Sequence, residues 1–203
     1  MHKYLFLGAH ADDIEIGCLG TILNLKKEIS IQYIIFSSSQ IRKKEIMKAY
    51  KKLKSKNINI LKPIIYNFSD SNFENYKTQI KKKMKLFLKK NSNIKRIYTH
   101  SKKDLHQDHR IISESTLEVF RDHSILCYEI PKYDGNPFKP KVFVKLNKKT
   151  INEKTNFLMN NYNSQHNKFW YRPEVFIGLA SLRGVEARSN YAEAFELIKM
   201  YEK

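Results

Sequence analysis

The chain has 203 residues, of which 41% are hydrophobic and 12% aromatic, so it can bury a core and is not expected to be disordered. Its net charge of +18 favours anionic partners, although lysines on nearly every predicted helix are also typical of solvated helix faces. No apolar run approaches the roughly 18 residues of a membrane-spanning helix, and the first apolar run is too short for a signal peptide.

The two cysteines, Cys18 and Cys127, lie far apart in the sequence and form no CxxC pair or Cys/His cluster. We therefore expect two reduced, buried thiols rather than a disulfide. Thiols of this kind are typical of a cytoplasmic protein.

Strands and helices are predicted to alternate through residue 130. Short apolar runs predict strands at residues 4–9, 31–36, 64–68, 94–99 and 125–130. Apolar residues at helical spacing predict helices at residues 14–29, 41–56, 73–90 and 109–120. This order predicts an α/β fold, a Rossmann-like three-layer α/β/α arrangement with a mainly parallel sheet.

The pattern changes after Pro131. Residues 133–140 are rich in Gly, Pro and Asn and predict a loop, residues 142–146 predict a strand, and residues 152–165 and 192–201 predict helices. The loop and residues 167–189 are expected to shape a substrate pocket. We find no repeat or interdomain linker and expect one domain over residues 1–203.

Two clusters of histidine and aspartate follow predicted strands. Their members are His10, Asp12 and Asp13 in AHADD, and His106, Asp108 and His109 in DLHQDH. Ligands of open α/β sheets bind at the carboxyl ends of the strands, so the clusters can converge if their strands are neighbours. Zinc accepts histidine nitrogen and carboxylate oxygen, and the set could also leave a general base and a histidine acid. Either cluster alone is equally compatible with hydrogen-bonded structural residues.

The motifs resemble those of the PIG-L/LmbE-like zinc-dependent N-deacetylases. AHADDIEIGCLGTI is similar to the first signature of that family, AHPDDE or AHPDDIE, and THSKKDLHQDHR contains the second, HxDH. YNSQ, and the run from Arg183 to YAEAF, match as well, so the resemblance extends in order over nearly the whole chain. Ala11 replaces the commoner proline, and Ile14 stands where many members have glutamate.

The resemblance implies that His10, Asp13 and His109 bind one zinc ion per chain. Asp12 would be the general base that takes a proton from the attacking water, whose pKa zinc lowers toward about 7. A site of this composition also accepts iron(II), cobalt or nickel, so the metal stays open.

The same resemblance implies that His106 stabilises the oxyanion that forms when water attacks the acetyl carbonyl. Asp108 would orient His106 and favour its protonated form. The proton donor to the leaving amine is left open between Asp12 and His106, and Asp104 is either an orienting carboxylate or a solvated loop residue.

Two further positions match substrate contacts of the family. Arg42 would form bidentate hydrogen bonds with sugar hydroxyls or phosphate, unless it is one more cation of a lysine-rich helix. Asp70 would bind sugar hydroxyls, unless it is a turn or cap residue. For Arg183, Tyr191 and Glu193 we expect a salt bridge or a helix start rather than catalysis.

The expected function is hydrolysis of an N-acetyl group on an N-acetylated sugar or sugar nucleotide, with release of acetate and a free amine. The positive charge favours a substrate that bears phosphate. The alternatives are a basic nucleic-acid-binding domain, which needs no clustered histidine and aspartate, and a family member that binds a ligand without turnover. The acceptor is open, and a homo-oligomer is compatible with the resemblance.

Overall fold

A computed structural model describes residues 2–132 and 137–201. Its seven strands are β1 (Lys3–Gly8), β2 (Ser30–Ile35), β3 (Ile64–Ile65), β4 (Ile94–His100), β5 (Ser124–Tyr128), β6 (Val142–Leu146) and β7 (Tyr191–Lys199). They form one sheet in the order β3-β2-β1-β4-β5-β7-β6. The first five are parallel, and β7 runs antiparallel to both of its neighbours.

Six helices accompany these strands among the described residues. They are α1 (Asp13–Leu23), α2 (Gln40–Ser55), α3 (Lys77–Lys89), α4 (Gln107–Val119), α5 (Lys148–Asn161) and α6 (Pro173–Glu186). Short 3-10 turns at Phe73–Tyr76 and Asn163–Gln165 take up the start of the predicted helix at 73–90 and the end of the one at 152–165.

Helices cover both faces of the sheet. Successive side chains of a strand point to opposite faces, so Tyr4 and Phe6 join one core cluster while Leu5 and Leu7 join the other. The first cluster contains residues of α1, α2, α5 and α6, and the second contains residues of α3 and α4. The predicted three-layer α/β fold is therefore confirmed.

Helix α1 lies unusually close to the sheet. A Cβ atom at Gly17 would collide with the ring of Tyr128, so only glycine allows this approach. The hydroxyl of Tyr128 in turn donates a hydrogen bond to the backbone oxygen of Leu7, 2.6 Å away. These contacts fix the start of α1, and with it the AHADD motif, at the carboxyl end of β1.

One prediction for the C-terminal part is wrong, and one helix there was missed. Residues 192–201, predicted as a helix from their alanine, glutamate and leucine, form strand β7 between β5 and β6. Pairing on both edges outweighs a helix propensity of a few tenths of a kcal/mol per residue. Helix α6 was not predicted; Pro173 begins it, and Gly178 and Gly184 interrupt its helical pattern.

Other expectations concern smaller features. Cys18 and Cys127 are both free and buried, as predicted. None of the helices in the described part of the chain combines the length and the apolar character needed to cross a membrane. Residues 133–136 of the predicted loop lie outside the described residues.

Candidate active site

The two His/Asp clusters meet because β1 and β4 are neighbouring parallel strands. AHADD follows β1 and DLHQDH follows β4, so both lie at the same edge of the sheet. The Oδ2 atom of Asp13 is 3.4 Å from Nδ1 of His10 and 3.5 Å from Nε2 of His109. Ligand atoms about 2.0–2.1 Å from a tetrahedral zinc ion are separated by roughly 3.4 Å, so these spacings suit a shared metal.

Carboxylates hold the opposite ring nitrogens of both histidines. His10 Nε2 is 2.9 Å from Asp70 Oδ1 and 3.1 Å from Asp108 Oδ2. His109 Nδ1 is 2.7 Å from Asp104 Oδ2. Such contacts fix the tautomer and orientation of metal-binding histidines, leaving Nδ1 of His10 and Nε2 of His109 for a metal.

The electrostatics at the three candidate ligands are unequal. Burial would raise the pKa of Asp13, but its electrostatic interactions with His109, Lys132 and His100 hold it well below its usual value. Burial, and then His100, lower the pKa of His109 well below normal, so its ring is neutral, the form that binds metal. Burial would lower the pKa of His10, yet its hydrogen bonds with carboxylates raise it well above normal, and a metal would displace that proton. Oδ1 of Asp13 is buried without a hydrogen-bond partner.

His100, the last residue of β4, was missed by sequence reasoning. Its Nε2 accepts a hydrogen bond from the backbone N–H of Ala9 at 2.9 Å and lies 3.3 Å from Asp13 Oδ2. Its ring stacks on His109 with centroids 3.9 Å apart. A histidine at the end of a strand beside the metal motifs was the available signal.

Three overlapping groups of side chains have ligand atoms within 4.8 Å of one another. They are His10, His106 and His109; Asp13, His100 and His109; and His10, Asp70 and Asp108. Each residue predicted to bind metal belongs to at least one group, but no group contains His10, Asp13 and His109 together. The nitrogen and oxygen donors of all three groups are of the types that a divalent cation such as zinc accepts.

His106 differs from its expected arrangement. It caps α4, and its Nδ1 accepts the N–H of Asp108 at 3.3 Å, which leaves the ring proton on Nε2. The Asp108 carboxylate instead accepts the backbone N–H groups of Ser71, at 2.7 Å, and Phe73, at 3.2 Å. Burial, and then the charges of His10 and Lys132, lower the pKa of His106, so the ring is neutral rather than protonated.

Asp108 also places Asp70. The Ser71 N–H donates a hydrogen bond to the Asp108 carboxylate, and this bond holds Ser71 in the left-handed backbone region, with φ of 60°. In this conformation Asp70 reaches His10, and the hydrogen bond with His10 lowers the pKa of the Asp70 carboxyl. Asp70 is therefore neither a helix cap nor isolated from the metal motifs.

Asp12 lies at the start of α1 and is 3% exposed. Its carboxylate forms a short ion pair with Arg42, and Arg42 also donates to the hydroxyl of Ser164 at 3.2 Å. Glu45, one turn further along α2, accepts hydrogen bonds from the N–H and the hydroxyl of Ser164. Arg42 is thus held by three chain segments rather than exposed among lysines.

These residues surround one cavity of about 280 Å³. It is lined by His10, Asp12, Ser37, Ser38, Ser39, Arg42, Asp70, His106, Lys132, Gln165 and Lys168. Sequence reasoning singled out five of the lining residues for chemistry; Lys132 and Lys168 were not among them. Lys168 does lie in the segment at 167–189 that was expected to shape the pocket.

The family model of PIG-L, described as GlcNAc-PI de-N-acetylase, matches residues 5–120. The chain belongs to the PIG-L family. All eight residues predicted to bind metal, substrate or the reacting group lie within the matched span. No curated protein matches the chain.

Several solved structures share the PIG-L fold of this chain. N,N'-diacetylchitobiose deacetylase from Pyrococcus horikoshii is 18% identical with a TM-score of 0.77, over 97% of this chain and 83% of that one. The zinc-inhibited form of teicoplanin deacetylase Orf2 is 11% identical with a TM-score of 0.76, over 96% and 97%. The 4-carboxy-2-hydroxymuconate hydratase GalB from Pseudomonas putida is 13% identical with a TM-score of 0.73, over 100% and 98%. The fold therefore accommodates two reaction classes, and function has to be argued from the site.

The C-terminal residues of the family motif have structural partners. Arg183 forms two hydrogen bonds of 2.7 Å with Glu129, so the expected salt bridge is present. Glu193 accepts backbone N–H groups of Gly20 and Thr21 in α1 and pairs with Lys154 at 2.6 Å. These contacts fasten β7 and α6 to the layer that carries the AHADD motif.

Proposed function

We propose that this PIG-L protein is a zinc-dependent N-deacetylase that hydrolyses the N-acetyl group of an amino sugar or amino-sugar conjugate. The observation that carries the proposal is the position of Asp13 Oδ2, 3.4 Å from His10 Nδ1 and 3.5 Å from His109 Nε2. Carboxylates on the far nitrogens of both histidines support the same assignment.

The metal would be held by His10, Asp13 and His109. When bound, zinc supplies a Lewis acid for the acetyl carbonyl and makes water a stronger nucleophile at neutral pH. The matching donor distances support one ion per chain, and iron(II), cobalt and nickel are alternatives with the same donors. All described strands belong to one sheet, which supports one domain over residues 1–203.

Asp12 is the proposed general base, because its carboxylate lines the cavity beside the metal ligands. The ion pair with Arg42 fixes the direction of that carboxylate. His106 is the proposed oxyanion donor, since its Nε2–H remains available while Nδ1 accepts from the backbone. Asp108 acts through His10 and the Asp70 loop, and Arg42 and Asp70 line the space for sugar hydroxyls.

The test combines metal analysis with acetate release. The purified protein is assayed for bound metal and then incubated with N-acetylglucosamine derivatives, with and without a chelator. We expect about one metal per chain and chelator-sensitive acetate release. Absence of acetate release from every derivative by the metal-loaded protein would overturn the deacetylase proposal.

Asp12→Asn separates base catalysis from metal binding. We expect kcat to fall by about 10²–10⁴-fold with the metal content unchanged, because an amide cannot accept the proton of water. Asp122→Asn, at an exposed position outside the cavity, is the matched control and should keep full activity. Full activity of Asp12→Asn would remove Asp12 from the role of base.

A further inference from the structure

Two lysines form one wall of the active-site cavity around a single indole. The Nζ atoms of Lys132 and Lys168 each lie 5.8 Å from the ring centroid of Trp170. Trp170 is only 5% exposed and packs edge-on against Tyr171, with centroids 5.5 Å apart. The indole is therefore a fixed platform that holds both ammonium groups at the cavity through cation–π contact.

These lysines differ in their ion-pair partners from Arg42, the other cationic side chain of the cavity. Arg42 has Asp12 as its ion-pair partner and Glu45 at 3.8 Å. Within residues 2–132 and 137–201, no carboxylate lies within ion-pair distance of Lys168, and Lys132 reaches only Asp13 Oδ1, at 3.9 Å. Asp13 is a candidate metal ligand, so a bound cation would compete for that charge.

Positive charge therefore accumulates on this wall. Burial lowers the pKa of Lys168, Asp12 opposes that effect, and the charges of Lys132 and Arg42 lower it further. Lys132 Nζ also lies 3.4 Å from His109 Nε2, beside the metal ligands. A divalent cation there would repel the Lys132 ammonium toward the open cavity, and an anion between the two lysines would relieve both repulsions.

We propose that Lys132 and Lys168 form a subsite for an anionic group of the substrate. The substrate is then an N-acetylated amino sugar that carries a phosphate or a carboxylate. The inference rests on the proposed deacetylase function and adds to it the charge of the sugar. Both lysines lie outside the span matched by the family model.

The size of the cavity agrees with this substrate class. The volume of about 280 Å³ lies just below the usual range of roughly 300–1,000 Å³ for ligand cavities, which suits one charged sugar unit. The same cavity is lined by Asp12 and His106, so the N-acetyl group and the anionic group of one sugar can occupy it together.

The turnover experiment compares matched substrates on the metal-loaded enzyme. N-acetylglucosamine is set against its phosphate esters at carbon 1 and at carbon 6 and against its carbon-6 carboxylate. We expect kcat/KM to be roughly tenfold or more higher for an anionic sugar, because hydrogen bonds to charged groups are the stronger ones. Preference for the phosphates or for the carboxylate identifies the source of the anion.

Three variants test whether the preference for anionic sugars depends on the wall formed by Lys132 and Lys168. Lys168→Met should lower the anionic-to-neutral ratio of kcat/KM by about tenfold, and Lys168→Arg should retain most of it. Lys85→Met removes the same charge from an exposed position of α3, on the other face of the sheet, and should leave the ratio unchanged. An equal fall in Lys85→Met would assign the preference to the overall charge of +18 and overturn the subsite.

A binding arm separates failure of the subsite from failure of the deacetylase proposal. Glucosamine and its phosphates are titrated calorimetrically into the metal-loaded protein and into Lys168→Met. Tighter binding of the phosphates that is lost in Lys168→Met, without acetate release from any sugar, supports the subsite and rejects the deacetylase. Acetate release with equal kcat/KM for neutral and anionic sugars overturns the subsite alone.

Discussion

Charged residues at the floor of the cavity, where the His/Asp motifs lie, are paired with oppositely charged groups. The wall formed by Lys132 and Lys168 is mainly cationic. On the floor, Asp104 is paired with His109, Asp70 and Asp108 with His10, and Asp12 with Arg42. On the wall, two lysines share an indole, and no carboxylate of the described residues lies within ion-pair distance of Lys168.

The difference separates residues that are held from residues that are available. A charge with a buried partner is fixed in direction, which is what metal ligands and a general base require. A cation without an ion-pair partner in the protein is available to pair with an incoming anion.

The largest effect is expected from Asp13→Ala. This change removes the carboxylate that both histidines share, so the metal should be lost and kcat/KM should fall by about 10³-fold or more. The measurements are metal content and acetate release, with Asp122→Ala as a carboxylate-removing control at an exposed site. Retention of stoichiometric metal by Asp13→Ala would move the metal site to another of the overlapping groups.

A second prediction extends the contrast to a buried pair away from the cavity. Lys154 and Glu193 pair at 2.6 Å with side chains 6% and 4% exposed. Lys154→Met leaves the buried Glu193 carboxyl without its cationic partner, so the free energy of unfolding should fall by about 3–5 kcal/mol in urea titrations.

Lys77→Met is the control for that measurement. It breaks an ion pair with Glu114 of similar length, 2.7 Å, whose side chains are 30% and 34% exposed. An exposed pair contributes about 1 kcal/mol or less, so this variant should be nearly as stable as wild type. Equal losses of unfolding free energy in the two variants would show that burial does not decide how much the loss of an ion pair destabilises the fold.

At the metal site, a smaller effect than that of Asp13→Ala is expected from Asp104→Asn. Asp104 touches no metal in the proposed site but accepts the Nδ1 proton of His109 at 2.7 Å. Its loss should weaken metal affinity by about 10–100-fold, which chelator competition measures, while the fold persists. Unchanged affinity would mean that stacking with His100 and His106 alone orients the His109 ring.

How far the sequence predicted the fold depended on how local the signal was. Apolar runs predicted the five parallel strands because each of these strands has its apolar signal within a few residues of sequence. Strand β7 was predicted wrongly because its alanines and glutamates favour a helix, and only its pairing with β5 and β6 decides otherwise.

The site divides in the same way. The sequence by itself placed His10, Asp13 and His109 at strand ends, because each motif follows a predicted strand in the sequence. Only the tertiary structure decided which carboxylate serves which histidine: Asp104 turns to His109, and Asp108 turns to His10 and the Asp70 loop rather than to His106.

The sequence also determined the excess of positive charge, but it could not say where that charge acts. Lysines are too frequent in this chain for any one to stand out. The folded chain selects Lys132 and Lys168 because it brings residues 36 positions apart to one buried indole. Among the described residues, Lys168 has no carboxylate at ion-pair distance and Lys132 has only Asp13, at 3.9 Å. Charge is a property of composition, whereas the pairing of charges depends on distances that only the folded chain sets.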